Sequence, residues 1–182
     1  MKFTIIDKIK AKIRGTIDIS RLKKDGLIVG KNLDTQYGVI IDPGHCWLIE
    51  IGDNVTLAPR VHILAHDASM KKMLGYTKIA PVKIGNNVFI GAGSIVLPGV
   101  TIGDNVIVGA GSVVTKNLPA EGVYCGTPAV KIEDISKYRN KIENQIEIKP
   151  HFDKSFIIGN ITEEKNSFMK AELKDKHEGF IV

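Results

Sequence analysis

From Ile84 to Pro119 an aliphatic residue returns at every sixth place: Ile84, Ile90, Val96, Ile102, Val108 and Val114. A second apolar or small residue follows four places after each: Val88, Ser94, Val100, Val106, Ser112 and Leu118. A helix repeats its buried face about every 3.6 residues and a strand every 2. A period of six fits neither as a long element. It fits a strand of a few residues and a turn, repeated, with two inward positions per hexad. Three hexads then close one triangular coil of a parallel β-helix. Gly85-Asn86-Asn87 and Gly103-Asp104-Asn105 fall where the chain must bend, and both residue types tolerate positive φ.

The frame extends backwards through the corner motif [IV]-G-x-N, which starts at Val29, Ile51, Ile84 and Ile102. The last step is 18 residues, one uninterrupted coil; the earlier steps are 33 and 22, so 15 and 4 extra residues interrupt the stack. The shorter insertion lies around Pro43–Leu48 and the longer about 66–81. This predicts an all-β solenoid over 26–132, a lead-in over 1–25 and an extension over 133–182. In the lead-in, Phe3, Ile6, Ile9 and Ile13 share one helical face among lysines. Such a helix suits a membrane surface, or a cap on the open first coil; solenoid ends need cover, which favours the cap. After the coil, "EGVYCGTPAVKI" breaks the period. "ISKYRNKIENQIE" predicts a helix with Ser136 at its N-cap, "SFIIGNIT" a strand and "EEKNSFMKAELKDKHE" a second helix.

Composition narrows the classes. The chain of 182 residues is 43% hydrophobic with 18 glycines and only 6% aromatics, which suits many turns around small aliphatics. No segment reaches the roughly 20 apolar residues of a membrane span. The start lacks the apolar core and cleavage site of a signal peptide. The expectation is a cytoplasmic protein without membrane contact. Net charge is +5, concentrated in residues 1–28. No basic run is interleaved with aromatics, so nucleic acid is not an expected partner. Cys46 and Cys125 form no C-x-x-C pair and read as small buried hydrophobes.

"IEIGDNVTLAPRVHILAHD", a loop, "APVKIGNNVFIGAGSIVLPGVTIGDNVIVGAGSVVTKNLP" and "GTPAVKI" together resemble the hexapeptide-repeat O-acetyltransferases. The nearest branch is that of the maltose, galactoside and nodulation-factor enzymes. The resemblance covers roughly residues 26–132. It implies a left-handed coil, a homotrimer with active sites between subunits, acetyl-CoA as co-substrate, no metal, and direct transfer of acetyl to a hydroxyl of a sugar or polysaccharide precursor.

A hydroxyl needs a base to attack a thioester, and an imidazole with an ordinary pKa of about 6.5 suits the task. His66 stands where the long insertion leaves the coil and matches the family's catalytic His. Asp42 matches an acidic residue of the family's acceptor site, although D-P-G is also a turn starter. Asp67 is a candidate to orient His66 or to contact the acceptor, but adjacent residues on an extended chain point opposite ways. His45, beside Cys46 and Trp47, is a candidate acceptor-site residue or second imidazole. His62, four before His66, is too far along a strand, about 13 Å, to share one metal. "GAGS" recurs at Gly91–Ser94 and Gly109–Ser112, which leaves a smooth corner for a pantetheine arm. By resemblance, the Ala92 amide lies near the thioester, and Ala110, Thr115, Lys116 and Lys131 are coenzyme contacts. Phe89 replaces a frequent Trp. The family ending G-N-P-A-[KR] is here Gly126-Thr127-Pro128-Ala129-Val130-Lys131, which displaces the basic residue by one. Two other readings stand beside the transferase. One is a β-helix-class zinc carbonic anhydrase, which needs several His across an interface and which metal analysis would identify. The other is a non-enzymatic scaffold, which would show no thermal shift with acetyl-CoA.

Overall fold

The hexads form short strands, and the strands gather into three sheets. In a computed structural model, which describes residues 17–182, each coil sends one strand to each sheet. The first sheet stacks Ile28–Val29, Ile49–Ile51, Val82–Ile84 and Thr101–Ile102. The second stacks Asp34–Thr35, Thr56–Leu57, Phe89–Ile90, Val106–Val108 and Gly122–Cys125. The third stacks Ile40–Ile41, His62–Ile63, Ile95–Val96 and Val113–Val114. Pairing between these coils is parallel throughout, which makes a three-sided parallel β-helix. Val29 lies opposite Ile51, Ile51 opposite Ile84 and Ile84 opposite Ile102. The offsets read from the corner motif are therefore the true registers. Both insertions leave the coil after the third sheet and rejoin it at the first.

Both residues of every hexad from Ile84 to Leu118 are buried. The two serines among them keep their hydroxyls bonded, because a buried polar group without a partner is costly. Ser94 Oγ donates to the Gly109 carbonyl at 3.0 Å, and Ser112 Oγ donates to the same carbonyl at 2.6 Å. At the first corner Asn32, Asn54, Asn87 and Asn105 all have φ of 54–55°. Their amides form a ladder: Asn32 donates to Asn54 at 2.9 Å, Asn54 to Asn87 at 3.0 Å and Asn87 to Asn105 at 3.0 Å. The asparagines thus supply the left-handed turn expected of this corner. The glycines beside them serve a different purpose. A Cβ on Gly52 would lie 2.8 Å from the Gly85 carbonyl carbon, and one on Gly85 2.8 Å from that of Gly103. The coils stack too closely there for any side chain.

At the first coil, helix α1 (Ile19–Lys24) is capped by Asp18, which accepts from Arg21 N at 3.1 Å, and it buries Leu22 in the core. The helix expected over Phe3–Ile13 lies outside the described residues. At the other end Val130–Asp134 folds back antiparallel on Gly122–Cys125. That strand covers the growing edge of the second sheet, which would otherwise offer unpaired backbone.

Residues 136–182 form a separate compact unit. It holds most of helix α2 (Ile135–Ile148), a parallel pair His151–Phe152 with Phe180–Ile181, and helix α3 (Glu163–Lys174). Thr162 caps α3 by accepting from Lys165 N at 3.3 Å. Two expectations are corrected here. Ser136 lies inside α2 and not at its cap. "SFIIGNIT" is no strand: Asp153 accepts from Ser155 N at 2.7 Å and starts a 3₁₀ turn over Lys154–Phe156, and Gly159 has φ of 97°. Local side-chain capping outweighs the strand propensity of two isoleucines.

The close approach of coils has a measurable consequence. A Cβ on Gly91 would lie 2.5 Å from Ala110 N, whereas one on Gly93, at φ of 70°, would meet nothing within 4 Å. Gly91→Ala should cost about 1–3 kcal/mol by overpacking, and Gly93→Asn within about 0.5 kcal/mol. Urea unfolding of both variants checks this, and equal losses would refute the steric account.

Candidate active site

Strand Ile40–Ile41 ends at the third corner, where Asp42-Pro43-Gly44 begins the short insertion. Asp42 N donates to the Ile63 carbonyl at 2.9 Å, so the next coil passes directly beside it. That coil leaves the stack two residues later as a hairpin, with His66–Asp67 antiparallel to Lys78–Ile79. Two chain departures at one corner therefore bring Asp42 and His66 together.

Asp42 is fully buried. Its Oδ1 accepts from Gly44 N at 3.0 Å, and its Oδ2 accepts from Ala65 N at 3.0 Å and is bonded to His66 Nδ1. The turn-starting and site readings of Asp42 thus hold at once, one through each oxygen. Burial by itself would raise the carboxyl pKa. The hydrogen bond with His66, joined by those from the Ala65 and Gly44 amides, outweighs burial and holds Asp42 below its ordinary value. Asp42 is thus a fixed anion on Nδ1, which leaves Nε2 of His66 to accept a proton. The His66 side chain is 36% exposed and lines a cleft of about 460 Å³. Leu64, Leu97, Pro98 and Thr115 form the coil side of that cleft, and Asp67, Ala68 and Lys78 of the hairpin form the other lining.

His45 joins the pair from the short insertion. Its ring centroid is 4.9 Å from that of His66 and 5.3 Å from the Trp47 ring. Its Nδ1 is buried, 3.9 Å from Asp42 Oδ1, and makes no hydrogen bond among the described residues. Asp42, His45 and His66 offer ligand atoms within 4.8 Å of one another, the one such three-residue group among the described residues.

Other expected residues fall as follows. Asp67 is exposed and accepts from Ser69 N at 2.8 Å; that bond, the largest cause, lowers its pKa. Asp67 therefore shapes the loop, and the orientation of His66 comes from Asp42. Thr115 reaches the His66 cleft, with exposed Lys116 next to it. Ala92 and Ala110 sit exposed at the preceding corner, where Gly111 N donates to the Ala92 carbonyl at 2.8 Å. Lys131 lies on the back-folded strand and pairs with Asp134 at 2.6 Å, outside the cleft lining. His62 lies on the third sheet, opposite Ile40 and Ile95, and is not in the three-residue group. The closeness of His45 to His66 was not read from spacing. The signal was present: an offset of 22 residues puts Asp42 level with Leu64, and both insertions start there.

A parallel β-helix with an acid–imidazole pair at an interrupted corner defines a class, and comparison identifies it. Residues 81–116 match the family described as bacterial transferase hexapeptide (six repeats). A crystal structure of a maltose O-acetyltransferase from Clostridium difficile 630 is 33% identical, covering 70% of this chain and 83% of that one, with a TM-score of 0.53. A galactoside acetyltransferase in complex with coenzyme A is 29% identical, covering 73% of this chain and 80% of that one, with a TM-score of 0.55. Protein CapG of Staphylococcus aureus is 50% identical over 100 residues, 53% of this chain and 58% of that protein. Galactoside O-acetyltransferase of Escherichia coli (strain K12) is 38% identical over 115 residues, 59% of this chain and 54% of that protein. The chain thus spans a little over half the length of these curated relatives. It belongs to the hexapeptide-repeat acetyltransferase family. Among the described residues no helix is long and apolar enough to cross a membrane.

The depressed Asp42 carboxyl fixes the sign of one pH effect. Its contribution to stability is complete above the ordinary carboxyl value of 3.8 and is lost as pH falls through the lower folded value. Asp42→Asn should therefore flatten the acid limb of the stability curve, measured by urea midpoints between pH 5 and pH 2. An unchanged acid limb would count against the buried anion.

Proposed function

We propose that the chain is an acetyl-CoA-dependent O-acetyltransferase that acetylates a hydroxyl of a sugar or saccharide precursor, with His66 as general base. The observation that carries this reading is the buried Asp42 anion on Nδ1 of a cleft-lining imidazole. Asp42 holds the tautomer that presents Nε2 as the acceptor, the logic of a carboxylate–imidazole pair. The hydroxyl oxygen bonds to the thioester carbonyl carbon while its proton passes to Nε2. The C–S bond then breaks, and the imidazolium returns that proton to the departing CoA sulfur.

For the coenzyme, Thr115 lies in the same cleft as His66, and Lys116 adds a cation next to it. Ala92 and Ala110 form a side-chain-poor track at the neighbouring corner, where the Ala92 amide would serve the oxyanion. The solved galactoside acetyltransferase carrying coenzyme A supports this assignment. Lys131 has a weaker claim on the phosphates, because Asp134 already engages it. The carbonic anhydrase reading finds less support, since that reading needs several His and the group among the described residues holds two, His45 and His66.

We further take the coil to be left-handed and the active assembly to be a trimer. The hairpin exposes Met73 by 77%, Leu74 by 62% and Tyr76 by 81%. Apolar side chains so exposed on one arm suit cover by a neighbouring copy.

His66→Ala should lower kcat by about 10²–10⁴-fold, with CoA affinity and unfolding midpoint retained; near-normal turnover with labelled acetyl-CoA and a saccharide panel would reject the base. Sedimentation equilibrium should give three chains per particle. Leu74→Asp combined with Tyr76→Ser should shift the protein toward monomer and reduce turnover. A fully active monomer would overturn the shared-seam arrangement.

A further inference from the structure

The dyad uses Oδ2 of Asp42 toward His66 and leaves His45 without a task. Yet His45 is placed with care. Its Nδ1 is buried, has no hydrogen-bond partner among the described residues, and lies 3.9 Å from the other Asp42 oxygen. Its ring packs 4.9 Å from His66 on one contact and 5.3 Å from Trp47 on another. Trp47 is 54% exposed. Neither His45 nor Trp47 lines the cleft that His66 shares with Thr115. His66 therefore touches two environments: the Thr115 cleft assigned above to the thioester, and a short aromatic row contributed by the first insertion.

We propose that His45 and Trp47 form the acceptor subsite, and that it selects a pyranose with a vicinal diol. His45 binds the hydroxyl adjacent to the one that His66 deprotonates, and Trp47 carries the C–H face of the sugar ring. The assignment rests on the reading of His66 as the base. Its argument is distance. Two imidazoles whose ring centroids lie 4.9 Å apart can bond at the same time, each at an ordinary length of about 2.8 Å, to two oxygens that are close neighbours. Hydroxyls on adjacent ring carbons meet that condition and give each imidazole its own oxygen. A small movement brings His45 Nδ1–H onto Asp42 Oδ1. Asp42 then bridges both imidazoles, and the orphaned buried nitrogen gains its partner when the acceptor arrives. The tilted indole supplies the flat apolar surface that a sugar's axial C–H bonds need, and its exposure leaves it open to a ligand.

Trp47 is the single tryptophan of the chain, so its emission reads this subsite directly. The test titrates the full chain with methyl pyranosides and their single-deoxy analogues, following Trp47 fluorescence, with labelled acetyl-CoA turnover in parallel. In the wild type, loss of either hydroxyl of one adjacent pair should weaken binding about 10–100-fold. In His45→Ala the analogue lacking the His45-bound hydroxyl should bind as well as the parent sugar. His45→Gln, which keeps a hydrogen-bonding side chain, should restore part of the discrimination and controls for folding. The proposal is overturned if wild type binds diol and deoxy sugars equally, if His45→Ala discriminates as before, or if no sugar alters Trp47 emission. Diol-selective binding without acetyl transfer would instead keep the subsite and remove the transferase reading.

Discussion

Each coil of this protein satisfies its backbone only through the coils above and below it. A strand of two or three residues has no ladder of its own, so every N–H and C=O in a face must meet the equivalent group one layer away. In-register stacking is therefore the constraint on which everything else depends. It explains the uniform asparagine φ at the first corner and the glycines that let neighbouring corners touch. It also explains the covered ends: α1 at the first coil and the antiparallel strand Val130–Asp134 at the last.

The same constraint builds the site. A solenoid cannot accept extra residues within a face without losing register, so insertions leave and return at a corner. Here two successive coils open at the same corner, and their departing chains must lie side by side. One carries Asp42 and His45, the other His66. A buried carboxylate would be costly alone. Hydrogen bonds from Ala65, Gly44 and His66 compensate it, and the Ala65 amide among those donors is held by the coil. The imidazole is thus aimed through Asp42 by the stacked coils, which favours precise placement.

Much of this was legible residue by residue. The six-residue period picked out core positions that are all buried, including Ser94 and Ser112. The corner motif carried the registers through both insertions. Errors arose where short-range chemistry overrode pattern. The isoleucines of "SFIIGNIT" read as strand, but the Asp153 turn prevails. Ser136 read as a cap, but the helix begins one residue earlier, at Ile135. Asp67 stood open between orienting His66 and facing solvent; it is exposed, and its carboxylate accepts from Ser69 N.

Periodicity is a local record of which side chains face inward, so the amino-acid order by itself determined the coil, its core, its interruptions and the candidacy of His66. It could not say which side chains from different coils would meet. Asp42 and His66 are 24 residues apart in sequence, and their contact depends on the third-corner geometry of two stacked layers. Likewise the ring row His66–His45–Trp47 exists only because the short insertion turns through a 3₁₀ helix at Cys46–Leu48 and folds its aromatics back along the corner. Side-chain direction within an aperiodic turn leaves no repeating trace in a sequence, and tertiary packing alone decided it.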